Sequence, residues 1–472
     1  MSDISITAVR EVLERDLGAP VEAVEVRPIS GGNGQETWFV DAVVDGRPAP
    51  LVLRRDPPAG SMEFTDRRAE FDVLRSLEGI GLPIPRAYAY GDAAAGLDRP
   101  YLLMERLRGA APRSLTVEER SAIGHELGAL LGRLHGHGPA PADRHPGPAD
   151  ATRAHVSEWR ERYRSRHLGE LPMLDALFGW LEANVPSTDR PSVQLWGDPG
   201  PHNLLVGEGA VTAMLDWELA HEGDPLDDLG AAVWACLGTL DAADVIAGYR
   251  STSPFEVPAR DLDYFVVLAC VTRSVISGTG ALAFVEGRTE TPNLVGLALA
   301  LTTANLARGA VHAGWQALDH GAGSPPRPAS EGDPLRPRPD AQELTSGIAR
   351  ALDERVASDA VERELRRDLR IAAALLRTAT RLASHASFAP DPELTALARE
   401  VEAATGRAGL GPAECAYSIE RHAELAALRP RLRAALQRDL AERRSLLQPL
   451  DELYGALVEV PRNRPFSEEP DA

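Results

Sequence analysis

The sequence predicts an α+β chain in three parts: a small, mainly β lobe, a large, mainly α lobe, and a small all-α C-terminal domain. Three observations carry this. Short apolar runs bounded by turn residues crowd the first 107 residues. From Thr116 onward, apolar residues recur at helical spacing. Gly321 to Asp340 holds six prolines and almost no bulky apolar side chain, the composition of an exposed linker.

Taken in order, Ile6, Val9, Val12, Leu13 and Leu17 mark a first helix over residues 4–17. Val24 to Val26, Thr37 to Val44 and Leu51 to Arg54 read as strands, with Gly31-Gly32-Asn33-Gly34 as the turn between the first two. Asp66 to Leu77 reads as a helix with Phe71, Leu74 and Leu77 on one side, and Ala87 to Tyr90 and Tyr101 to Glu105 as further strands. Leu127, Leu130, Leu131 and Leu134 follow the i, i+3, i+4, i+7 pattern. A loop is expected over 137–150, then helices over 155–165 and 173–184, further helix from Leu226 to Tyr249, and two or three helices over 260–317. Past the linker, Leu365, Leu369, Ala372, Leu376, Ala379 and Ala383 trace an apolar stripe, and Leu394 to Thr405 and Glu414 to Leu447 add helix. The expected division is a small lobe over 1–107, a large lobe over 108–320, a linker over 321–340, a helical accessory domain over 341–455 and a frayed tail over 456–472.

Hydrophobic content of 44% and charged content of 25% allow a sizeable core. The net charge of −20 argues against a general nucleic-acid binder, so any anionic ligand needs a local positive site. The chain has no lysine, so all 50 basic side chains are arginine and any cation on a nucleotide must be Arg. Cys236, Cys270 and Cys415 are far apart, as free thiols in a reducing compartment would be. The N-terminus shows no signal-peptide pattern. No apolar run reads as long enough to span a membrane, and Leu294 to Leu306 reads as a buried helix. The expectation is a cytoplasmic protein with neither nucleic acid nor membrane as partner.

The chemistry concentrates in Trp196-Gly197-Asp198-Pro199-Gly200-Pro201-His202-Asn203, followed by Met214-Leu215-Asp216-Trp217-Glu218. An Asp, an Asn five residues on and a second Asp thirteen further, with β-type residues between, is the layout of a phosphoryl-transfer site. Asp198 can orient an acceptor hydroxyl as base. Asn203 and Asp216 offer hard oxygens to Mg²⁺. Glu218 is either a metal ligand or a neighbour of the ligands, or a solvated position.

Gly31, Gly32 and Gly34 let backbone N–H groups approach phosphates closely. Strand alternation puts Arg54 on one face with Val52, where Glu70 of the next helix could pair with it and hold it toward the phosphates; Arg55 points the other way and is expected in solvent. Met104 and Glu105 end the strand at which adenine is read by backbone groups. Asp224 and Asp227 are expected to cap the next helix, and His135 and His202 to be packed or solvated. Arg160, Arg162, Arg164 and Arg166 could form an anion-binding patch, with a solvated helix face as the plainer reading. No Gly-x-Ser-x-Gly or His-Glu-x-x-His pattern supports a hydrolase.

Through Ser30-Gly31-Gly32, Arg54, Glu70, Met104-Glu105, Gly197-Asp198 with Asn203, Asp216-Trp217-Glu218 and Asp224-Pro225, residues 20–320 resemble the aminoglycoside phosphotransferase family. The resemblance implies a bilobal protein-kinase-like fold, ATP and Mg²⁺ as cofactors, Asp198 as catalytic base, Asn203 and Asp216 as metal ligands, and Gly31, Gly32 and Arg54 at the nucleotide. Two positions depart from the family pattern: Trp196 replaces a frequent His, and Arg54 the usual Lys. Both departures resemble a branch that accompanies acyl-CoA dehydrogenases, which implies a hydroxyacyl-CoA as acceptor and such a dehydrogenase acting downstream. The alternatives are an aminoglycoside or another hydroxylated metabolite as acceptor, and a non-catalytic nucleotide-binding scaffold on the same fold. A homo-oligomer is possible on this reading. The segment from 341 to 455 resembles a small helical companion protein fused here.

Overall fold

A computed structural model describes residues 4–29, 36–56, 65–92, 97–113, 115–138, 147–166, 171–236, 238–289, 293–315 and 391–446, with residues 168–169, 343–345, 347–348, 371–372, 374–375 and 378. The linker expected at 321–340, most of the stripe from Leu365 to Ala383 and the tail from 456 lie outside these residues. The chain forms two compact units. The first comprises Met1–Ala142 and Ser192–Glu256, the second Asp143–Pro191 and Val257–Ala472. This division runs through the stretch expected as one large lobe and joins the helices after 391 to those around residues 147–183 and 259–312.

The first unit is built on an antiparallel sheet of five strands in the order β1-β2-β3-β5-β4. These are β1 (Val21–Pro28), β2 (Glu36–Val44), β3 (Arg47–Arg55), β4 (Ala87–Gly91) and β5 (Tyr101–Glu105). Helix α1 (Ile6–Leu17) starts on the Ser5 side-chain cap and stops at Gly18, whose φ of 65° only glycine adopts cheaply. Its Val9, Val12 and Leu13 pack with Trp38, Val40, Leu51, Leu53 and Leu103. Alternation along β3 therefore assigns Leu51, Leu53 and Arg55 to the face under α1, and Val52 and Arg54 to the opposite face. Helix α2 (Arg67–Ser76) follows, capped by Asp66.

Helix α3 (Val117–Gly136) opens with a reciprocal capping box between Thr116 and Glu119. It crosses α7 (Ala242–Thr252) at backbone contact, because glycines recur at every fourth position. A Cβ on Gly128 would lie 1.9 Å from Val245 O, and one on Gly248 would lie 1.9 Å from His125 O. Gly128→Ala is thus expected to destabilise the protein by ~1–3 kcal/mol or more. Gly124→Ala, whose added carbon would be 3.2 Å from the Asp244 Cβ, should cost much less. Denaturant midpoints of the two variants check this, and equal shifts would contradict it.

Around these helices lie the two-stranded sheets β6 (Val193–Leu195) with β9 (His221–Gly223) and β7 (Leu204–Gly207) with β8 (Ala210–Met214), then α6 (Pro225–Ala235). The helix expected from Leu226 to Tyr249 is present as α6 and α7. It breaks where the amides of Thr239 and Leu240 both turn back to Cys236 O and Asp241 starts a new helix as its N-cap.

The second unit contains α4 (Gly147–Ser165), α5 (Pro172–Ala183), α8 (Ala259–Val285), α9 (Asn293–His312), α10 (Pro392–Thr405), α11 (Pro412–Arg421) and α12 (Arg429–Leu446). The helix expected from Glu414 to Leu447 is present as α11 and α12, separated by a 3₁₀ stretch. Helices α8 and α9 correct the expectation that no apolar run is long enough to span a membrane: both are, by length and composition, and most of each is buried.

The arginines of α4 are partly solvated and partly engaged: Arg164 stays 43% exposed while pairing, and Arg160 is 22% exposed. Arg164 pairs with Glu414 of α11 at 2.5 Å, and Arg160 lies over the Tyr417 ring at 3.6 Å. Arg421 and the Tyr417 hydroxyl both reach Glu182 of α5. Helix α11 approaches α5 closely enough that a Cβ on Gly179 would meet Tyr417 O at 2.5 Å.

Candidate active site

All the described site residues belong to the first unit. The loop between β6 and β7 carries Asp198. Gly197 has a φ of 86°, and a Cβ there would fall 2.0 Å from Leu219 O, so both backbone shape and space require glycine. The loop is gripped from beneath by Asp228 of α6, which is 1% exposed. Its carboxylate accepts the N–H of Trp196 at 2.7 Å and of Gly197 at 2.8 Å. His135 Nε2 is 3.1 Å from the same carboxylate, and Tyr249 OH is 3.0 Å from His135 Nδ1. A carboxylate only accepts, so Nε2 carries the proton and the tyrosine O–H donates to Nδ1. Trp196, which stands where the family often has His, stacks on Trp217 with ring centroids 5.7 Å apart.

Asn203 ends the 3₁₀ turn Pro201–Asn203. Its Nδ2 donates to Asp198 Oδ2 at 2.9 Å and to Asp198 O at 3.0 Å. The amide nitrogen is spent on Asp198, and the side-chain carbonyl is the atom left for a cation. His202 Nε2 lies 3.1 Å from the same Asp198 Oδ2. Two donors on one oxygen orient the carboxylate. Asn203 O accepts the N–H of Leu215 at 2.9 Å, which ties the Asp198–Asn203 loop to the segment that carries Asp216.

Asp216 adopts a φ of 63°, a left-handed conformation that Asp tolerates better than most side chains. Its Oδ1 accepts from Arg54 Nη2 at 2.7 Å, and Arg54 Nη1 donates to Glu70 Oε1 at 2.8 Å. The expected Arg54–Glu70 pair is thus present, and it is buried. Glu218 is buried too, 3.6 Å from Arg54 and 3.3 Å from Arg67, so the solvated alternative for it is excluded. Burial, reinforced by the neighbouring Asp216 charge, pushes the Glu218 carboxyl up to about 7. Arg67 also meets Asp56 and Glu70. Four carboxylates on two guanidiniums leave this cluster a formal charge of −2, which one divalent cation would balance. The hard oxygens and the charge deficit fit Mg²⁺, which Asn203 and Asp216 could hold.

Arg55 is a correction. It faces away from Arg54 as expected, but it is buried under α1, opposite Glu36 on β2. Its Nη2 reaches Glu36 Oε2 at 2.6 Å, and its guanidinium lies 5.1 Å from the Trp38 ring centroid. A strand position beneath a helix cannot present charge to water, so the cross-strand carboxylate neutralises it.

Met104 pairs in register with Val52, so the two side chains share the sheet face of Arg54. The Glu105 N–H already donates to Arg86 O at 2.9 Å, and the Arg106 N–H to Pro50 O at 3.2 Å. Both of these backbone donors are therefore already engaged within the protein. Gly31, Gly32 and Gly34 lie outside the described residues; on either side of them Ile29 N–H donates to Thr37 O at 2.9 Å. Asp224 caps α6 as expected, accepting from Leu226 N at 2.9 Å, and Asp227 sits in its first turn. His135 is packed, while His202 is half exposed. Sequence reasoning missed Arg67, Asp56 and Asp228. Arg67 sits three residues before Glu70, on the same helix face, and that spacing was its available signal.

The profile of the phosphotransferase enzyme family matches residues 25–260. Acyl-CoA dehydrogenase family member 11 of Rattus norvegicus is 30% identical over 189 residues, covering 38% of this chain and 24% of that protein. The Homo sapiens protein of the same name is 30% identical over 196 residues, with the same coverage of 38% and 24%. This chain spans about a quarter of the length of these relatives. Among solved structures, a protein from Ralstonia eutropha described as an aminoglycoside phosphotransferase has a TM-score of 0.52 at 19% identity. The match covers 66% of this chain and 99% of that one, and it shows a kinase-like phosphotransferase fold.

Proposed function

Because the chain belongs to the phosphotransferase enzyme family, we propose that it moves the γ-phosphoryl group of ATP, with Mg²⁺, onto the hydroxyl of a hydroxyacyl-CoA. The coarser part is direct: it is a phosphotransferase that acts on hydroxyl groups. One observation carries the mechanism. A carboxylate held by two donors, Asp198, lies on a loop tied by a backbone hydrogen bond to a segment whose acidic cluster is short of two positive charges.

Asp198 accepts the proton of the acceptor hydroxyl as that oxygen attacks phosphorus. Arg54, aimed by Glu70, meets the phosphate oxygens. Asn203 and Asp216 hold Mg²⁺, which neutralises charge on the phosphates when bound. Met104 lines the sheet face on which the base would lie.

The acceptor reading is supported by the names of the relatives, and Trp196 and Arg54 resemble that branch. The test measures nucleotide turnover with Mg²⁺ across hydroxyacyl-CoAs of several chain lengths and a set of aminoglycosides. Phosphorylated hydroxyacyl-CoA is the expected product. Turnover with aminoglycosides alone would overturn the acceptor, and nucleotide binding without any turnover would favour a scaffold.

A further inference from the structure

We propose that Arg67 is a positioning residue of the phosphoryl-transfer site, holding Glu70 and Glu218 so that Arg54 is presented to the nucleotide. This rests on the reading of Arg54 and Asp216 given above.

Arg67 is the first residue of α2, and its side chain is 1% exposed, so it reaches neither solvent nor a phosphate. Its guanidinium meets three carboxylates supplied by three parts of the unit. Asp56 follows β3 and is 3.1 Å away, Glu70 stands one turn further along α2, and Glu218 follows Asp216 and is 3.3 Å away. Glu70 is divided between two arginines: Oε1 accepts from Arg54 and Oε2 from Arg67. A carboxylate gripped on both oxygens has no freedom to turn, and the direction of Arg54 follows from it.

Glu218 is the second link. Its Oε2 lies near both Arg67 and Arg54, and it stands two residues after Asp216. The same guanidinium therefore braces the helix that aims Arg54 and the segment that carries Asp216. Without Arg67, the buried carboxylates would face Arg54 alone, which they would pull away from the phosphates. The neighbouring Arg68 offers an internal comparison. It pairs with Asp72 on the surface, with side chains 59% and 55% exposed, and touches nothing in the cluster.

The experiment uses the full chain and reads Mg²⁺–ATP affinity by calorimetry, with thermal midpoints recorded alongside. The variants are Arg67→Met, Arg67→Lys, Glu218→Gln, the Arg67→Met/Glu218→Gln double and Arg68→Met. Arg67→Met is expected to weaken nucleotide binding by about tenfold. Arg67→Lys should be intermediate, since one ammonium cannot fork to three carboxylates, and Arg68→Met should bind as wild type. The double variant should bind better than the product of the two single losses, because Glu218→Gln removes a carboxylate that Arg67→Met strands. Unchanged affinity in a folded Arg67→Met protein, or strictly multiplicative losses, would overturn the proposal. If Arg67→Met does not fold, wild-type affinity in Arg67→Lys would overturn it equally. Failure of the wild type to bind Mg²⁺–ATP at all would instead sink the nucleotide reading.

Discussion

Asp198→Asn lowers the turnover number by about 10²–10⁴-fold, the usual loss for a general base, and leaves Mg²⁺–ATP affinity nearly intact. The reason is geometric. Asp198 Oδ2 is held by Asn203 Nδ2 at 2.9 Å and His202 Nε2 at 3.1 Å, which orients the carboxylate, and in the proposed mechanism that carboxylate serves the acceptor hydroxyl. The contrast is Asp216→Ala, which removes a metal ligand and an Arg54 partner together and should weaken nucleotide binding itself. Steady-state kinetics paired with nucleotide titration separate the two. Wild-type turnover in Asp198→Asn would remove it from the mechanism, and unaltered metal dependence in Asp216→Ala would remove that assignment.

Asp228→Ala should be the most damaging change away from the reacting groups. The Asp228 carboxylate is 1% exposed and satisfies the Trp196 and Gly197 amides and His135 Nε2. Truncation strands three buried donors, and a stability loss of about 3 kcal/mol or more is expected. Turnover per folded molecule should fall as well, because the same two amides fix the loop that ends in Asp198. Asp228→Asn keeps one acceptor but turns an NH₂ toward another donor, so it should fall between wild type and Asp228→Ala. Denaturant unfolding and kinetics on the same preparations decide this. Wild-type stability in Asp228→Ala would show that water replaces the carboxylate.

Much of this site was legible in the chain. Asp198, Asn203 and Asp216 were singled out because phosphoryl transfer would need those residue types at a spacing set by one loop and one hairpin, a local constraint; their roles belong to the proposal. The Arg54–Glu70 pair was legible because strand alternation and a helix face predict direction. Arg55 was misjudged for the complementary reason. Alternation gives the face a residue points to, but whether that face meets water depends on α1, which packs from elsewhere in the chain. The glycines at 124, 128 and 132 went unread as a pattern, since a glycine row means close helix packing only when a partner backbone is known.

The amino-acid order alone determined which groups can do the chemistry, the strand and helix types that carry them, and the glycine at 197 that lets the loop turn. These depend on contacts a few residues apart, where covalent geometry and periodicity leave few choices. Tertiary structure decided what surrounds each charge. It buried Arg55 on Glu36, gave Glu70 a second arginine, placed Asp228 beneath the loop and joined the C-terminal helices to α5. Those outcomes are energies of desolvated charges and packed surfaces brought together from distant positions, and no local pattern encodes which partner arrives.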